Sequence, residues 1–63
     1  MNTLLGSSAT YAGLMQVIAA FYCTQPERVE LRVTGSVYVG ERLMLGVRWQ
    51  SKGKRIRFER VTP

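Results

Sequence analysis

The chain has 63 residues, a formal net charge of +5, no histidine and one cysteine. This length predicts one domain, residues 1–63, whose core alone supplies no more than about 3 to 5 kcal/mol without a disulfide, a metal or self-association. One cysteine excludes an intrachain disulfide, and without histidine or aspartate one chain cannot assemble a four-ligand zinc site. We therefore expect no metal and no cofactor, and a core supplemented by self-association.

The same composition predicts a protein of the cytoplasm that is not an enzyme. Without histidine, a general base near neutral pH has to be a strongly shifted Glu, Lys, Cys or Tyr. Cys23 follows an apolar run, so we expect an inert thiol, and a lone thiol fits a reducing compartment. That run, residues 11–23, is shorter than the roughly twenty residues that cross a bilayer. We therefore expect no catalytic residues and no membrane insertion.

The first element predicted is a helix in the uncharged segment, residues 1–25. Ser7, Ser8 and Thr10 offer N-cap oxygens, and Pro26 disfavours helix at the residue before it, so the helix should end at residues 23–24. Apolar side chains then recur at helical spacing and predict one core-facing side. This side consists of Tyr11, Leu14, Met15, Ile18, Phe21 and Tyr22.

The opposite side of this helix is small and uncharged. Its residues are Ala12, Gly13, Gln16, Ala19, Ala20 and Cys23. A solvent-exposed helix normally carries Lys and Glu, so this side is expected to pack against the same helix of a second chain, forming a homodimer. The alternative is a short helix of low solubility that has no partner.

Residues 27–61 are predicted to form a basic antiparallel sheet, because the apolar period changes there from 3.6 to 2. The alternation predicts three strands, with Gly35 a bulge or bend in the first or the point at which it splits. A three-residue loop, residues 40–42, keeps the apolar positions on one face and opposes Val39 to Leu43, whereas a two-residue loop mixes the faces. The next turn opposes Trp49 to Ile56. The predicted fold is α+β in two layers, with the N-terminal helix on one face of a three-stranded meander (αβββ).

This register places a cluster of arginines on the sheet face away from the helix. It opposes Arg48 directly to Arg57, and such a like-charge pair is destabilising by up to about 1 kcal/mol. A phosphate backbone offsets that cost, because guanidinium groups bind phosphates bidentately. The sequence therefore predicts a nucleic-acid-binding protein. The predicted contact residues are Arg32, Arg48, Lys52, Lys54, Arg55 and Arg57.

Two other functions stay open. The same register groups Tyr38, Met44 and Val61 in an apolar corner, which favours a protein-binding module or inhibitor, of phage or mobile-element type, directed at an acidic partner protein. A purely structural oligomer would instead leave the arginines solvated. Trp49 and Phe58 are expected in the core beneath the helix. The predicted interface residues are Ala12, Gly13, Gln16, Ala19, Ala20, Tyr38 and Met44.

Overall fold

A computed structural model describes residues 2–62 of the chain. In this range one α-helix, α1 (Tyr11–Phe21), lies between a first strand and five later ones, and a 3-10 turn at Pro26–Arg28 precedes the second strand. The strands are β1 (Asn2–Ser8), β2 (Val29–Leu31), β3 (Val37–Val39), β4 (Arg42–Leu43), β5 (Val47–Lys52) and β6 (Arg55–Val61). They pair antiparallel in two three-stranded sheets, ordered β1-β6-β5 and β2-β3-β4. The predicted α+β class is confirmed.

The core lies where α1 meets both sheets. Leu14 and Ile18 of the helix are fully buried, as are Val37 of the second sheet and Phe58 of the first. The remaining buried apolar residues among those described are Ala19, Val29 and Ile56. Phe58 is therefore a core residue, as predicted, and Trp49 packs at the rim of the same cluster.

Both ends of α1 are closed by hydrogen bonds that the local sequence provides. The backbone N–H of Gly13 donates to Oγ1 of Thr10 at 3.0 Å, so the predicted N-cap is confirmed. At the other end, the N–H of Thr24 donates to the carbonyl of Ala19 at 2.8 Å, and the N–H of Cys23 donates to that of Ala20. This pair of bonds is a Schellman motif, with Cys23 at φ 56°. The helix therefore ends at Phe21, slightly before the predicted end.

Strand β1 is an element that the sequence pattern did not predict. It pairs antiparallel with β6, placing Leu4 opposite Glu59 and Ser7 opposite Arg57, with a bulge between Leu4 and Gly6. Its sequence, NTLLGSS, has no clear alternation of apolar and polar residues, because the bulge shifts its phase midway. The helix therefore packs against a strand formed by the residues that precede it in the chain.

Two alternatives were predicted for Gly35, a bulge or bend within one strand and a split of that strand. The split forms, because the chain turns back there into the β2–β3 hairpin. The pairs Val29–Val39 and Leu31–Val37 lie on either side of a tight loop. Gly35 has φ 93°, a left-handed conformation that closes the hairpin loop. Val33, which continued the apolar alternation in sequence, is fully exposed in this loop. Turn geometry therefore overrides the alternation.

The β3–β4 connection also differs from the prediction. It is the two-residue turn Gly40–Glu41, with φ 55° and 69°, and it opposes Tyr38 to Leu43. Positive φ at both residues is the requirement of a type I′ turn, which matches the twist of the flanking strands. Strand β4 stops at Leu43 and does not continue into β5, so the apolar residues of the two strands need not lie on one face. Leu45, which lies between them, is 84% exposed.

In the β5–β6 hairpin the predicted pairs are wrong by two residues, although the predicted faces hold. Gly53 and Lys54 form the turn, and Trp49 lies opposite Phe58, not opposite Ile56. Gly53 has φ 65°, as the first position of a type II′ turn requires. Because side chains alternate with period two, a shift of two residues leaves each on its predicted side of the sheet.

Candidate nucleic-acid interface

The β5–β6 hairpin presents one polar face to solvent, on the side opposite Phe58 and the core. Cross-strand pairing gives its composition, because directly opposed residues share a face. The pairs are Arg48 with Glu59, Gln50 with Arg57, and Lys52 with Arg55. We call these six residues the outer face. It contains the predicted contact residues Arg48, Lys52, Arg55 and Arg57, and Lys54 lies in the adjoining turn.

Glu59 is the acidic residue of the outer face, and its carboxylate accepts three hydrogen bonds. It is 4% exposed and accepts from Nε of Arg57 at 2.8 Å, Nε2 of Gln50 at 2.8 Å and Nδ2 of Asn2 at 3.3 Å. The bond from Arg57 holds the pKa of Glu59 below its usual range, and the bonds from Asn2 and Gln50 act in the same direction against the effect of burial. Glu59 is therefore ionised at neutral pH, and Arg57 is committed to it.

The like-charge pair predicted between Arg48 and Arg57 does not form, because the register differs by two residues. Arg48 lies opposite Glu59, and Arg57 pairs with Glu59 on its own strand. The like-charge pair of this hairpin is instead Lys52 opposite Arg55, next to the turn. The electrostatic cost that the sequence placed mid-strand is thus found at the end of the hairpin.

Four cations of the outer face and its turn have no carboxylate partner among the described residues. In residues 2–62 the ion pairs are Arg57–Glu59 and Arg32–Glu30, so Arg48, Lys52 and Lys54 are exposed and unpaired. Nε of Arg55 donates to the neutral Oγ of Ser7 at 3.3 Å, which leaves its charge uncompensated. These four side chains are the free positive charge of the outer face and its turn.

Arg32 lies outside this cluster, in the β2–β3 loop. Its guanidinium pairs with Glu30 and lies over the ring of Tyr38, 4.5 Å from the ring centre. The prediction that Arg32 shares the outer face depended on the single long strand, which does not form. Its backbone carbonyl nevertheless accepts a hydrogen bond from Nε1 of Trp49 at 2.8 Å, so the loop adjoins β5.

The small side of α1 is partly covered by the chain itself. Ala19 is 2% exposed and belongs to the core. A Cβ on Gly13 would lie 2.1 Å from Oγ of Ser8, so this glycine allows the close approach of the segment that leads into the helix. Ala12, Gln16 and Ala20 remain exposed. Of the helix residues predicted at the interface, these three are therefore the exposed ones, and Cys23, just after the helix, is exposed as well.

The three residues of the predicted apolar corner lie on different parts of the fold. Val61 is on β6, opposite Asn2, whereas Tyr38 is on β3 and Met44 directly follows β4 and packs against the core. The register that grouped them is not the one formed. The exposed apolar neighbour of Val61 is Leu4, because β1 places it at the same end of the outer face.

Two exposed aromatic groups of α1, Tyr11 and Phe21, were assigned to the core-facing side by their helical spacing. Tyr11 is 52% exposed and lies edge-on to Trp49, with 5.6 Å between ring centres and 82° between ring planes. The available signal was position, since Tyr11 is the first helical residue after its N-cap and a helix end is more exposed than its middle. The sequence pattern did not predict the contact between Tyr11 and Trp49.

Several other properties of the described residues bear on function. Over residues 2–62 no three His, Cys, Asp or Glu side chains come together as a possible metal site. No helix in the same range has the length and hydrophobicity to span a membrane. Comparisons with protein-family models, curated proteins and solved structures find no match to this chain.

Proposed function

We propose that this protein binds nucleic acid by contacting the phosphate backbone with the outer face and its turn. The observation that carries the proposal is the set of four cations that have no carboxylate partner within residues 2–62, Arg48, Lys52, Lys54 and Arg55. The one acid of this face, Glu59, is buried and neutralised by Arg57. A phosphate oxygen accepts charge-assisted hydrogen bonds from both guanidinium and ammonium groups, so a phosphate chain satisfies these four side chains together.

The distribution of acidic residues supports the same face. Three of the four acids, Glu27, Glu30 and Glu41, line a shallow concavity beside the second sheet, together with Arg28. The first sheet is left with Glu59 alone among the acids. The positive potential of the molecule is therefore concentrated on the β5–β6 side, where it attracts polyanions from beyond contact distance at low salt.

Fluorescence anisotropy of labelled oligonucleotides, titrated at about 50 to 200 mM salt, tests this proposal. The double variant Lys52→Gln/Arg55→Gln should weaken binding and reduce the slope of log affinity against log salt by roughly 0.7 to 0.9 for each phosphate that it no longer neutralises. Arg28→Gln/Arg42→Gln is the matched control, because it removes two charges from arginines that are exposed and without an ion pair in the described chain but lie outside the first sheet. Absence of binding by the unmodified protein at low salt, or equal losses of affinity in variant and control, contradicts the proposal.

A protein partner is the second candidate, and exposed apolar side chains at the end of the outer face favour it. Leu4 is 47% and Val61 37% exposed there, at the end away from Lys52 and Arg55. A basic face with an apolar anchor fits an acidic partner protein, as expected of a binding module or inhibitor. The test is a pull-down after nuclease treatment, in which Leu4→Ser should lose a dominant partner that Leu45→Ser, altered at an exposed site outside both sheets, retains. Equal retention by both variants contradicts this second candidate.

Self-association and a cytoplasmic location are further parts of the proposal. A homodimer would use the exposed side of α1 at Ala12, Gln16 and Ala20. Light scattering at high micromolar concentration tests it, since a dimer has twice the chain mass of 7.1 kDa and a monomer does not. The free, exposed thiol of Cys23 fits a reducing compartment.

A further inference from the structure

The edge of β5 that faces the β2–β3 loop carries the one tryptophan of the chain in a fixed position. In the first sheet β5 pairs with β6 alone, and the β2–β3 loop lies along its other side. The backbone N–H of Trp49 donates to the carbonyl of Gly35 at 3.0 Å, and its ring Nε1 donates to the carbonyl of Arg32 at 2.8 Å. Because main chain and ring are both anchored, the indole holds one orientation at the rim of the core.

Tyr11 extends this aromatic surface into solvent. Its ring is half exposed and packs edge-on against Trp49. It begins α1 directly after the N-cap Thr10, so its backbone is held by the first turn of the helix. We call Tyr11 and Trp49 the aromatic pair. An exposed ring held by a capped helix end and an anchored indole is a preorganised surface for a planar ligand.

A cation connects the aromatic pair with the outer face. Arg48 precedes Trp49 on β5 and points to the opposite side of the strand. Its Nη2 and Nε nevertheless lie 3.5 and 3.8 Å from the position that a Cβ on Gly35 would take, so the guanidinium reaches the loop beside the strand edge. Positive charge therefore continues from Lys52 and Arg55 past Arg48 to the edge where the aromatic pair lies.

We propose that Tyr11, supported by Trp49, stacks an unpaired base of a single-stranded nucleic acid whose phosphates are held by the outer face. This inference rests on the proposed function and specifies its ligand. In a duplex the bases are stacked on each other and cannot reach an aromatic ring at a strand edge, whereas a single strand turns its bases outward onto such rings. A strand that follows the cations around the edge of β5 brings its next base to Tyr11.

The experiment compares a single strand with a duplex of the same sequence and length. The unmodified protein should bind the single strand more tightly, and Tyr11→Leu should lose roughly tenfold for the single strand, as expected for one stacked base, and nothing for the duplex. Trp49 is the only tryptophan, so its emission should be quenched by the single strand alone. Phe21→Leu is the matched control, because Phe21 is also exposed and aromatic but lies at the far end of α1.

A strand of the same length with abasic sites in place of all its bases provides the second measurement. The unmodified protein should bind it as weakly as Tyr11→Leu binds the intact strand, and Tyr11→Leu should not distinguish the two strands. If Tyr11→Leu does not fold, equal affinity of the unmodified protein for abasic and intact strands overturns the inference. Equal losses of affinity for single strand and duplex in Tyr11→Leu also overturn it, while the proposed function stands. Binding to neither form at low salt overturns both.

Discussion

Cys23 follows α1 in a backbone conformation that glycine adopts more readily than cysteine. It is the C′ residue of the Schellman motif, with φ 56°, and its side chain is exposed. The left-handed region costs a residue with a Cβ about 1 to 2 kcal/mol, and glycine loses part of this advantage to its greater freedom when unfolded. Cys23→Gly should therefore raise the free energy of unfolding by about 0.5 to 1 kcal/mol, measured by denaturant titration.

The control for this substitution is Cys23→Ala. Alanine removes the thiol but keeps the Cβ, so it should leave the free energy of unfolding close to that of the unmodified chain. Equal stabilities of the glycine and alanine variants would show that the conformation at Cys23 carries no such cost.

Ionisation of Glu59 makes the stability of the fold depend on pH. Its pKa is lowered in the folded protein, so its contribution is present above the unfolded pKa of about 4.3 and is lost as the pH falls through the folded value. Hydrogen bonds to charged groups are worth about 1.5 to 3 kcal/mol. Glu59→Gln should therefore destabilise the protein by roughly 2 kcal/mol at pH 7, and the difference should shrink on acidification below about pH 4.

Glu27→Gln gives the matched comparison, because Glu27 is exposed and the substitution changes the net charge equally. It should alter the free energy of unfolding by less than about 0.5 kcal/mol. The measurement is denaturant unfolding of the three proteins from about pH 7 to about pH 3. A difference between Glu59→Gln and the unmodified protein that stays constant over this range would exclude ionised Glu59 as its source.

At the scale of elements, the packing of β1 on α1 depends on the absence of a side chain at Gly6. A Cβ there would lie 2.4 Å from Cγ1 of Val17, and a β-branched side chain has little freedom to move away. Gly6→Ala should destabilise the fold by about 1 to 3 kcal/mol, the usual cost of overpacking. Val17→Ala removes the obstructing methyl. The double variant should therefore lose about 1 kcal/mol less unfolding free energy than the two single variants lose together.

The double-mutant cycle distinguishes this contact from a general effect of substitution. Unfolding free energies of the unmodified chain, both single variants and the double variant provide it. Additive losses of stability would show that Gly6 and Val17 do not interact, and would contradict the position of β1 against the helix.

The helix was predictable from residues 11–22, because its periodicity depends on neighbours three and four positions away and its N-cap Thr10 is local. The strand faces of β5 and β6 were predictable for the same reason, since alternation is local. The pairing was not. At Gly35 and Gly40 the chain turns where left-handed residues permit it. The sequence marked both places, but the alternation, which continues through Val33, indicated neither the reversal at Gly35 nor the two-residue length of the second loop. Strand β1 was missed because its bulge breaks the alternation.

The candidate site followed this division. Arg48, Lys52, Arg55 and Arg57 reached the predicted face because a two-residue error in register preserves faces. Arg32 did not, since its place depended on long-range pairing. The aromatic pair depends on contact between the first residue of α1 and the edge of β5, far apart in the chain, and such a contact leaves no periodic trace in the sequence.

At the scale of the whole molecule, the charge pattern that serves the proposed function lowers the stability of the fold. The acids lie mostly beside the second sheet, so they do not offset the repulsion among the cations of the outer face. This repulsion is strongest where Lys52 lies directly opposite Arg55. Removing one of two opposed like charges relieves up to about 1 kcal/mol. Lys52→Gln should therefore raise the melting temperature by a few degrees at low salt, while it weakens nucleic-acid binding in the anisotropy assay.

Salt separates this repulsion from other effects of the substitution. At about 1 M salt the Debye length falls to roughly 3 Å, so the advantage of Lys52→Gln in melting temperature should largely disappear. Lys54→Gln removes the same charge from the turn, where no cation is opposed to it, and should give a smaller gain at low salt. The measurement is thermal unfolding of the unmodified protein and both variants at low and high salt. A gain in stability that accompanies a loss of affinity indicates that the opposed charges serve ligand binding. A gain that persists in high salt, or one equal to that of Lys54→Gln, would instead assign the effect to the turn conformation or to net charge.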